Sequence, residues 1–150
     1  MDTIDHVMTV MDQAFDPHWR EAWTRRQVED SLALPGTYTI ISDSVGEKPI
    51  TPRDATGFVL ARRVLDEEEL LLIGVIPAMR NRGLGELLLR RFLQAARDNG
   101  SRRVFLEMRA ENPAERLYRR CGFDPIGRRK GYYRTLGGDT IDAITFARDL

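Results

Sequence analysis

The sequence predicts an α/β or α+β fold in which helices pack on a central β-sheet. Two observations support this prediction. Some segments repeat apolar residues at helical spacing, and others are short runs of β-branched and aromatic residues bounded by Gly, Pro or Asn. In chain order they read as two helices, three strands, a helix, a strand, a helix and two strands. A chain of 150 residues can bury one core, so we expect a single domain over residues 1–150.

Composition excludes several classes of protein. Hydrophobic residues make up 42% and charged residues 31% of the chain, which is typical of a globular protein and not of a disordered one. The longest uncharged apolar stretch, residues 70–79, is too short to cross a bilayer, and the acidic start of the chain lacks the basic region of a secretory signal. The single cysteine excludes an internal disulfide, and with only two histidines the chain offers no zinc or haem site. We therefore expect a cytoplasmic protein with no membrane partner and no metal.

Charge is unevenly distributed along a chain whose net charge is zero. Residues 78–134 hold 15 Lys and Arg against 6 Asp and Glu, whereas the remainder holds 8 against 17. The basic segment is either an ordinary solvated surface or an electrostatic attractor for an anionic ligand.

The first half of the chain predicts two helices and three strands. Apolar residues from Ile4 to Phe15 recur at helical spacing, and Thr24 is a suitable N-cap for a second helix that runs to about Leu32. Pro35-Gly36 ends that helix. The remaining elements are strands at residues 37–43, 57–65 and 68–76, a turn-rich loop at 44–56, and the acidic run 66–69 in the turn between the last two strands.

The next helix and strand have clear apolar patterns. A helix from about Gly83 to Asp98 is stopped by Asn99-Gly100, and its buried stripe is Leu84, Leu87, Leu88, Phe92, Leu93 and Ala96. Residues 102–110 read as a strand. Alternation places one set of side chains on one face and a second set on the other: Val104, Leu106 and Met108, against Phe105, Glu107 and Arg109.

A short helix and two strands complete the chain. Asn112 is the expected N-cap, Pro113 the first helical residue, Glu115 the capping-box partner and Gly122 the terminator. We expect the last strands near residues 124–128 and 141–148, around a loop that carries Tyr132 and Tyr133.

Two glycines and two arginines stand where the long helix begins. A Walker A motif is absent, and the dinucleotide fingerprint GxGxxG fails because Leu88 occupies the third glycine position. The remaining pattern is Arg80-x-x-Gly83-x-Gly85 between a strand and a helix. Backbone amides and the helix dipole converge at such a point and favour a phosphate, although a plain turn would also account for the glycines.

Two longer stretches resemble a known family. "IGVIPAMRNRGLGELLL" followed by "RRVFLEMRAENPAERLYRRCGF" resembles the acetyl-CoA-binding half of the GNAT N-acetyltransferases. "FLEMRAENPAERLYRRCGF" with "GRRKGYY" is similar to its RimI-type branch, which acetylates the N-terminal alanine of a small-subunit ribosomal protein. The resemblance covers roughly residues 57–146. It implies the GNAT fold, with a mixed and mostly antiparallel twisted sheet flanked by helices, acetyl-CoA as cofactor and a primary amine as acceptor.

The resemblance also implies a cofactor site. The pyrophosphate of coenzyme A would bind at residues 80–86, and the family's splayed strand would offer backbone groups to the acetyl and pantetheine portions. The residues so implied are Val75, Arg80, Asn81, Arg82, Gly83, Leu84, Gly85, Glu86 and Asn112. Asn112 is equally well explained as an ordinary N-cap.

Two further residues match the family's catalytic groups. The resemblance makes Glu107 the general base and Tyr118 the residue beside the thioester sulfur. A base is needed because an α-amine with a pKa near 8 is largely protonated at neutral pH, and a tyrosine hydroxyl suits a departing thiolate. The alternatives are that Glu107 only pairs with Arg109 or Arg103, and that Tyr118 only packs in the core.

Tyr132 and Tyr133 match the family's paired tyrosines over the acceptor groove, although a hairpin packing on its own aromatics is the simpler alternative. Cys121 lies on the expected buried face of its helix, so we expect a core thiol and not an acetyl-cysteine nucleophile. His6 and His18 are expected to be incidental.

Three segments around the expected acceptor groove depart from the family pattern. The usual phrase F-P-W-S is replaced within "FDPHWREAWTRRQ", where Ala22 stands in the place of the proline. The loop at 43–56 is extended, and the tail reads "IDAITFARDL". We expect an N-acetyltransferase for a protein N-terminus, with a small-molecule amine acetyltransferase for polyamines or aminoglycosides and a non-catalytic acyl-CoA-binding module as alternatives. We expect no nucleic-acid partner, and either a monomer or a homodimer.

Overall fold

The computed structural model describes residues 3–150. One six-stranded sheet is flanked by helices, which confirms the predicted fold class. The helices are α1 (Thr3–Ala14), α2 (Arg25–Leu32), α3 (Leu84–Asp98) and α4 (Glu115–Arg120). The strands are β1 (Thr37–Ser42), β2 (Gly57–Val64), β3 (Glu67–Val75), β4 (Arg103–Arg109), β5 (Asp124–Arg134) and β6 (Thr140–Asp149). Within residues 3–150, no helix combines the length and the apolar character that a membrane span requires.

The sheet has one parallel pair at its centre. The strand order is β1-β2-β3-β4-β6-β5, and every neighbouring pair is antiparallel except β3 and β4. These two strands pair only from Glu67 and Arg103 to Leu70 and Leu106. Because both continue beyond their last paired residues without a common ladder, their carboxyl-terminal ends separate and leave a gap in the sheet.

Two apolar cores cover the two faces of the sheet. The larger lies under α3 and α4 and includes Leu88, Phe92, Leu106 and Phe146. The smaller lies under α1 and α2. The predicted stripe of α3 is confirmed, except that Leu87 is only partly buried and Leu89 is fully buried.

Local capping signals were accurate. Thr24 forms a capping box with Gln27 at the start of α2, because its hydroxyl and the Gln27 side chain satisfy each other's backbone amides. Asn99 caps the end of α3, and Gly100 follows with a φ of 79°.

Only Asp66 of the acidic run 66–69 lies in the turn between β2 and β3. The turn consists of Leu65 and Asp66, and β3 begins at Glu67. Glu68 is fully buried and accepts hydrogen bonds from the Tyr38 hydroxyl at 2.5 Å and the Ser101 hydroxyl at 2.6 Å. These donors offset the cost of burying a carboxylate, which is why an acidic residue occupies the strand.

The start of α4 and the position of the two tyrosines also differ from the prediction. Helix α4 begins at Glu115, because the Asn112 side chain accepts from the Ala114 amide at 2.9 Å and closes a turn before the helix. Tyr132 and Tyr133 lie inside β5 and not in a loop, since β5 continues to Arg134 past a bulge in its register with β6. No periodicity in the sequence indicates such a bulge.

Cys121 is a core thiol, as predicted. It is 2% exposed and packs within the larger core. Burial raises its pKa above the usual value of a thiol. A thiol that remains protonated and covered is a poor nucleophile.

We expect the native protein to resist thiol reagents. Reaction of Cys121 with a disulfide reagent at pH 7.5 should be about 100-fold slower than reaction of the same thiol after denaturation, because the thiolate is the reactive form. Absorbance of the released reagent measures both rates. Rapid labelling of the folded protein, with loss of activity in Cys121→Ala, would contradict this view.

Candidate active site

The glycine loop before α3 fits an anionic group. Gly83 has a φ of 81°, and a Cβ built there meets no atom within 4 Å, so the position is open. The first backbone bond of the helix runs from the Leu87 amide to the Gly83 carbonyl at 3.0 Å. The three earlier helical amides, at residues 84–86, have no side-chain cap, because the residue at the cap position is glycine. Free amides at the positive end of a fifteen-residue helix suit a phosphate.

The two arginines of this loop differ in their surroundings. Arg82 is exposed and makes no hydrogen bond or ion pair within the described residues 3–150. Arg80 donates from Nε to the Val75 carbonyl at 3.3 Å and from Nη2 to the Ala14 carbonyl. Arg80 therefore ties the end of α1 to the end of β3, and its contact with phosphate stays a prediction.

Two arginine side chains neutralise the charge of the Glu86 carboxylate. It accepts from Arg120 Nε at 2.7 Å and from Arg90 Nε at 3.3 Å. These two hydrogen bonds, the one from Arg120 first, lower the pKa of Glu86 below its usual value. A carboxylate in the first turn of α3 is thus offset by two cations, and its charge does not oppose an anion at the helix start.

The gap between β3 and β4 opens directly beside the glycine loop. On the side of β3 that faces β4, the backbone of residues 71–75 has no partner in β4. A Cβ at Gly85 would lie 3.5 Å from Leu117 of α4 and 4.0 Å from Val75. The glycine loop, the carboxyl-terminal end of β3 and α4 therefore meet at the opening of the gap. Asn112, which precedes α4, is half-buried and uses its side-chain oxygen for the turn at Ala114.

Tyr118 is buried in α4 against two aromatic rings. Its ring centroid is 6.1 Å from that of Phe123 and 6.4 Å from that of Phe146. Burial raises the pKa of Tyr118 well above its usual range, and the Glu21 charge adds to this rise. The hydroxyl therefore keeps its proton throughout the physiological pH range. Tyr118 is therefore a core residue that also lies near a charged residue, Glu21.

Glu107 lies on the opposite face of β4 from the larger core. Its side chain is 20% exposed, accepts from the Thr145 hydroxyl at 3.3 Å and lies 3.3 Å from Arg129 Nε. Neither partner considered from the sequence is correct, since Arg103 lies 3.8 Å from Asp149 and Arg109 pairs with Glu21. The carboxylate is thus oriented by two neighbours and remains partly accessible.

The two tyrosines of β5 occupy different positions. They form an edge-to-face pair with centroids 5.1 Å apart, and Tyr132 is 54% exposed under the Arg129 guanidinium. Burial, followed by the charge of Glu107, raises the pKa of Tyr133 to about 12. Tyr133 is therefore partly buried and lies within the electrostatic reach of Glu107, whereas Tyr132 is largely exposed.

Sequence reasoning missed an ion pair at this site. Arg109 is 9% exposed, its Nε lies 3.3 Å from Glu21 Oε1, and its guanidinium stacks 3.8 Å from the centre of the Trp19 ring. Alternation placed Arg109 on the same face as Glu107. Nothing in the sequence linked it to Glu21, which is 88 residues away along the chain.

Comparisons with known proteins agree with this geometry. The model of the acetyltransferase (GNAT) family matches residues 7–123. The chain is 30% identical over 119 residues to the ribosomal protein bS18-alanine N-acetyltransferase of Haemophilus influenzae, covering 76% of this chain and 82% of that protein.

Two solved structures share the fold. The ribosomal-protein-S18-alanine N-acetyltransferase from Escherichia coli superposes with a TM-score of 0.83 at 24% identity, over 99% of this chain and 90% of that one. NAA60 of Arabidopsis thaliana in complex with acetyl-CoA superposes with a TM-score of 0.76 at 19% identity, over 100% and 96% of the two chains.

The chain belongs to the acetyltransferase (GNAT) family and is an acetyl-CoA-dependent N-acetyltransferase.

Proposed function

We propose that this enzyme acetylates the α-amino group of a protein N-terminus in the cytoplasm, with Glu107 as general base and Tyr118 as general acid. The proposal is supported by the electrostatic influence of Glu107 on Tyr133 and of Tyr133 on Tyr118, since Glu107 lies on β4, one of the two strands that border the gap, and Tyr118 lies on α4 beside the glycine loop. The relative from Haemophilus influenzae is named for the N-terminal alanine of a ribosomal protein, which supports this class of acceptor.

Binding of the cofactor rests on the start of α3. The amides of residues 84–86, the unpaired Arg82 guanidinium and the helix dipole would hold the diphosphate of coenzyme A. Bound acetyl-CoA supplies an activated thioester. Backbone groups of β3 that lack a partner in β4 would position that end of the cofactor near the gap, and one amide would stabilise the oxyanion.

Glu107 prepares the acceptor for attack. The incoming amine is an ammonium ion with a pKa near 8, and it attacks only after losing a proton. The Glu107 carboxylate, held by Thr145 and Arg129, accepts that proton directly or through one water. Holding amine and thioester together at the gap supplies a further large part of the rate.

Tyr118 completes the transfer. The departing thiolate needs a proton, and the buried hydroxyl retains its own because its pKa lies well above the usual range. The donor is therefore protonated throughout the physiological pH range. Tyr133 and Tyr132 would form the wall along which the acceptor lies.

Thiol release tests the acceptor class. With acetyl-CoA, we expect release with peptides that begin with alanine and none with the same peptides blocked at the N-terminus, even when they contain lysine. Mass spectrometry locates the acetyl group. Release only with polyamines or aminoglycosides would replace the proposed acceptor by a small amine. Acetyl-CoA binding without turnover of any amine would contradict the assigned roles of Glu107 and Tyr118.

We expect Gly83→Leu to weaken binding of coenzyme A by about tenfold or more, because a side chain would occupy the open space before the amides. The positive φ adds a stability loss of about 1–2 kcal/mol. Gly100→Leu is the matched control, since Gly100 lies at the other end of α3 with a φ of 79° and an equally open Cβ position. Calorimetry and denaturant unfolding measure the two effects. Equal affinities in both variants would identify the glycine loop as a plain turn.

We expect Tyr118→Phe to lower kcat by about 100-fold, the size of a general-acid contribution, with the affinity for acetyl-CoA nearly unchanged. In the wild type, kcat/KM should stay level from neutral pH to about pH 8, because the acceptor arrives as an ammonium ion that Glu107 deprotonates in the site, and it should fall at higher pH as the free acceptor loses its proton while Tyr118 remains protonated. Initial rates across pH measure both. An unchanged rate in the variant would remove Tyr118 from the mechanism.

A further inference from the structure

We propose that Glu21, held in place by Arg109, binds the ammonium group of the acceptor and sets the enzyme's affinity for it. This inference rests on the proposed function and adds a binding residue to it. The acceptor groove is here the sheet surface bordered by Trp19, Glu21, Glu107 and Tyr133.

The position of Glu21 is fixed by a buried cation. Arg109 lies at the end of β4 with its side chain 9% exposed, and a guanidinium that is removed from water requires a partner. Glu21 provides that partner at 3.3 Å, and the Trp19 ring covers the guanidinium at 3.8 Å. A residue of the connection between α1 and α2 is therefore joined to β4 by an ion pair.

One oxygen of Glu21 remains available. Oε1 faces Arg109 Nε, and within residues 3–150 no donor is recorded for Oε2. The side chain is 25% exposed, so a ligand in the groove can reach it. Because the pair is partly buried, a hydrogen bond from a charged donor there is stronger than one at the surface.

Glu21 stands at the reacting end of the groove. Arg109 follows Glu107 by two residues on the same face of β4, which separates their Cα atoms by about 7 Å. The negative charge of Glu21 also raises the pKa of both Tyr118 and Tyr133, so it lies close to both hydroxyls. Glu21 and Glu107 therefore both lie near Tyr133, and they belong to two different elements.

The two carboxylates suit different tasks. An ammonium ion has three N–H donors and is best held by more than one acceptor before it loses a proton. Glu21, already shared with Arg109, stabilises the cation that arrives, while Glu107 takes the proton.

Glu21→Gln tests the inference while preserving the size and most of the polarity of the side chain. We expect KM for an alanine-starting peptide to rise about tenfold, with kcat changed by less than about threefold and KM for acetyl-CoA unchanged. This pattern means the loss of an interaction equally strong before and during the reaction. Glu29→Gln, at an exposed glutamate of α2, is the matched control and should behave as the wild type.

A binding measurement separates this inference from the proposed function. Calorimetry titrates the peptide, and the same peptide with an acetylated N-terminus, into the enzyme saturated with coenzyme A. The wild type should favour the free amine by about tenfold, and Glu21→Gln should abolish that preference. Arg109→Lys, which keeps the cation, should retain part of it, and thermal unfolding checks that each variant is folded.

Each possible result either supports or contradicts the role of Glu21 in binding the acceptor. If the wild type acetylates the peptide and Glu21→Gln keeps its KM and its preference, Glu21 has no role in binding the acceptor and the proposed function stands. If the wild type acetylates only a small amine, the proposed function fails, and a tenfold rise of KM for that amine in Glu21→Gln still supports the inference. If the complex with coenzyme A has no preference for a free amine, the inference is wrong.

Discussion

The short parallel pairing of β3 with β4 is the constraint on which the site depends. The ladder ends at Leu70 and Leu106, although both strands continue for several residues. An intact ladder would satisfy every backbone group between them and leave no opening through the sheet. Because it stops, residues 71–75 have no partner in β4 on that side, and the glycine loop that follows β3 leads into α3 beside the gap.

Around this gap, carboxylates are paired with arginines. Glu107 is paired with Arg129, Glu21 with Arg109, and Glu86 with Arg120. The pairs have different consequences. At the start of α3 the arginines remove a negative charge that would repel a diphosphate. In the proposed acceptor groove the arginines pair with two carboxylates that stay partly exposed, Glu107 at 20% and Glu21 at 25%.

The glycine loop shows how far a local pattern can be interpreted. Gly83 has a positive φ that any turn of this shape requires, and Gly100 satisfies the same requirement at the other end of α3. A torsion angle therefore does not distinguish a turn from a binding loop. The surroundings do, because Gly83 lies beside the gap, an exposed arginine and helical amides that have no partner among residues 3–150, whereas Gly100 leads only into β4.

The sequence by itself determined the elements and their order, because apolar spacing, Thr24, Gly83 and Gly122 act over a few neighbouring residues. It also determined the family, since the glycine loop and the segment around Glu107 and Tyr118 lie on contiguous stretches. Only the tertiary structure decided the contacts across the sheet: the burial of Glu68, the pairing of Glu107 with Arg129, the bulge before Tyr133, and the anchoring of Glu21 by Arg109. Those partners are far apart in the chain, and they meet only when the strands pair and the connection between α1 and α2 packs on the sheet.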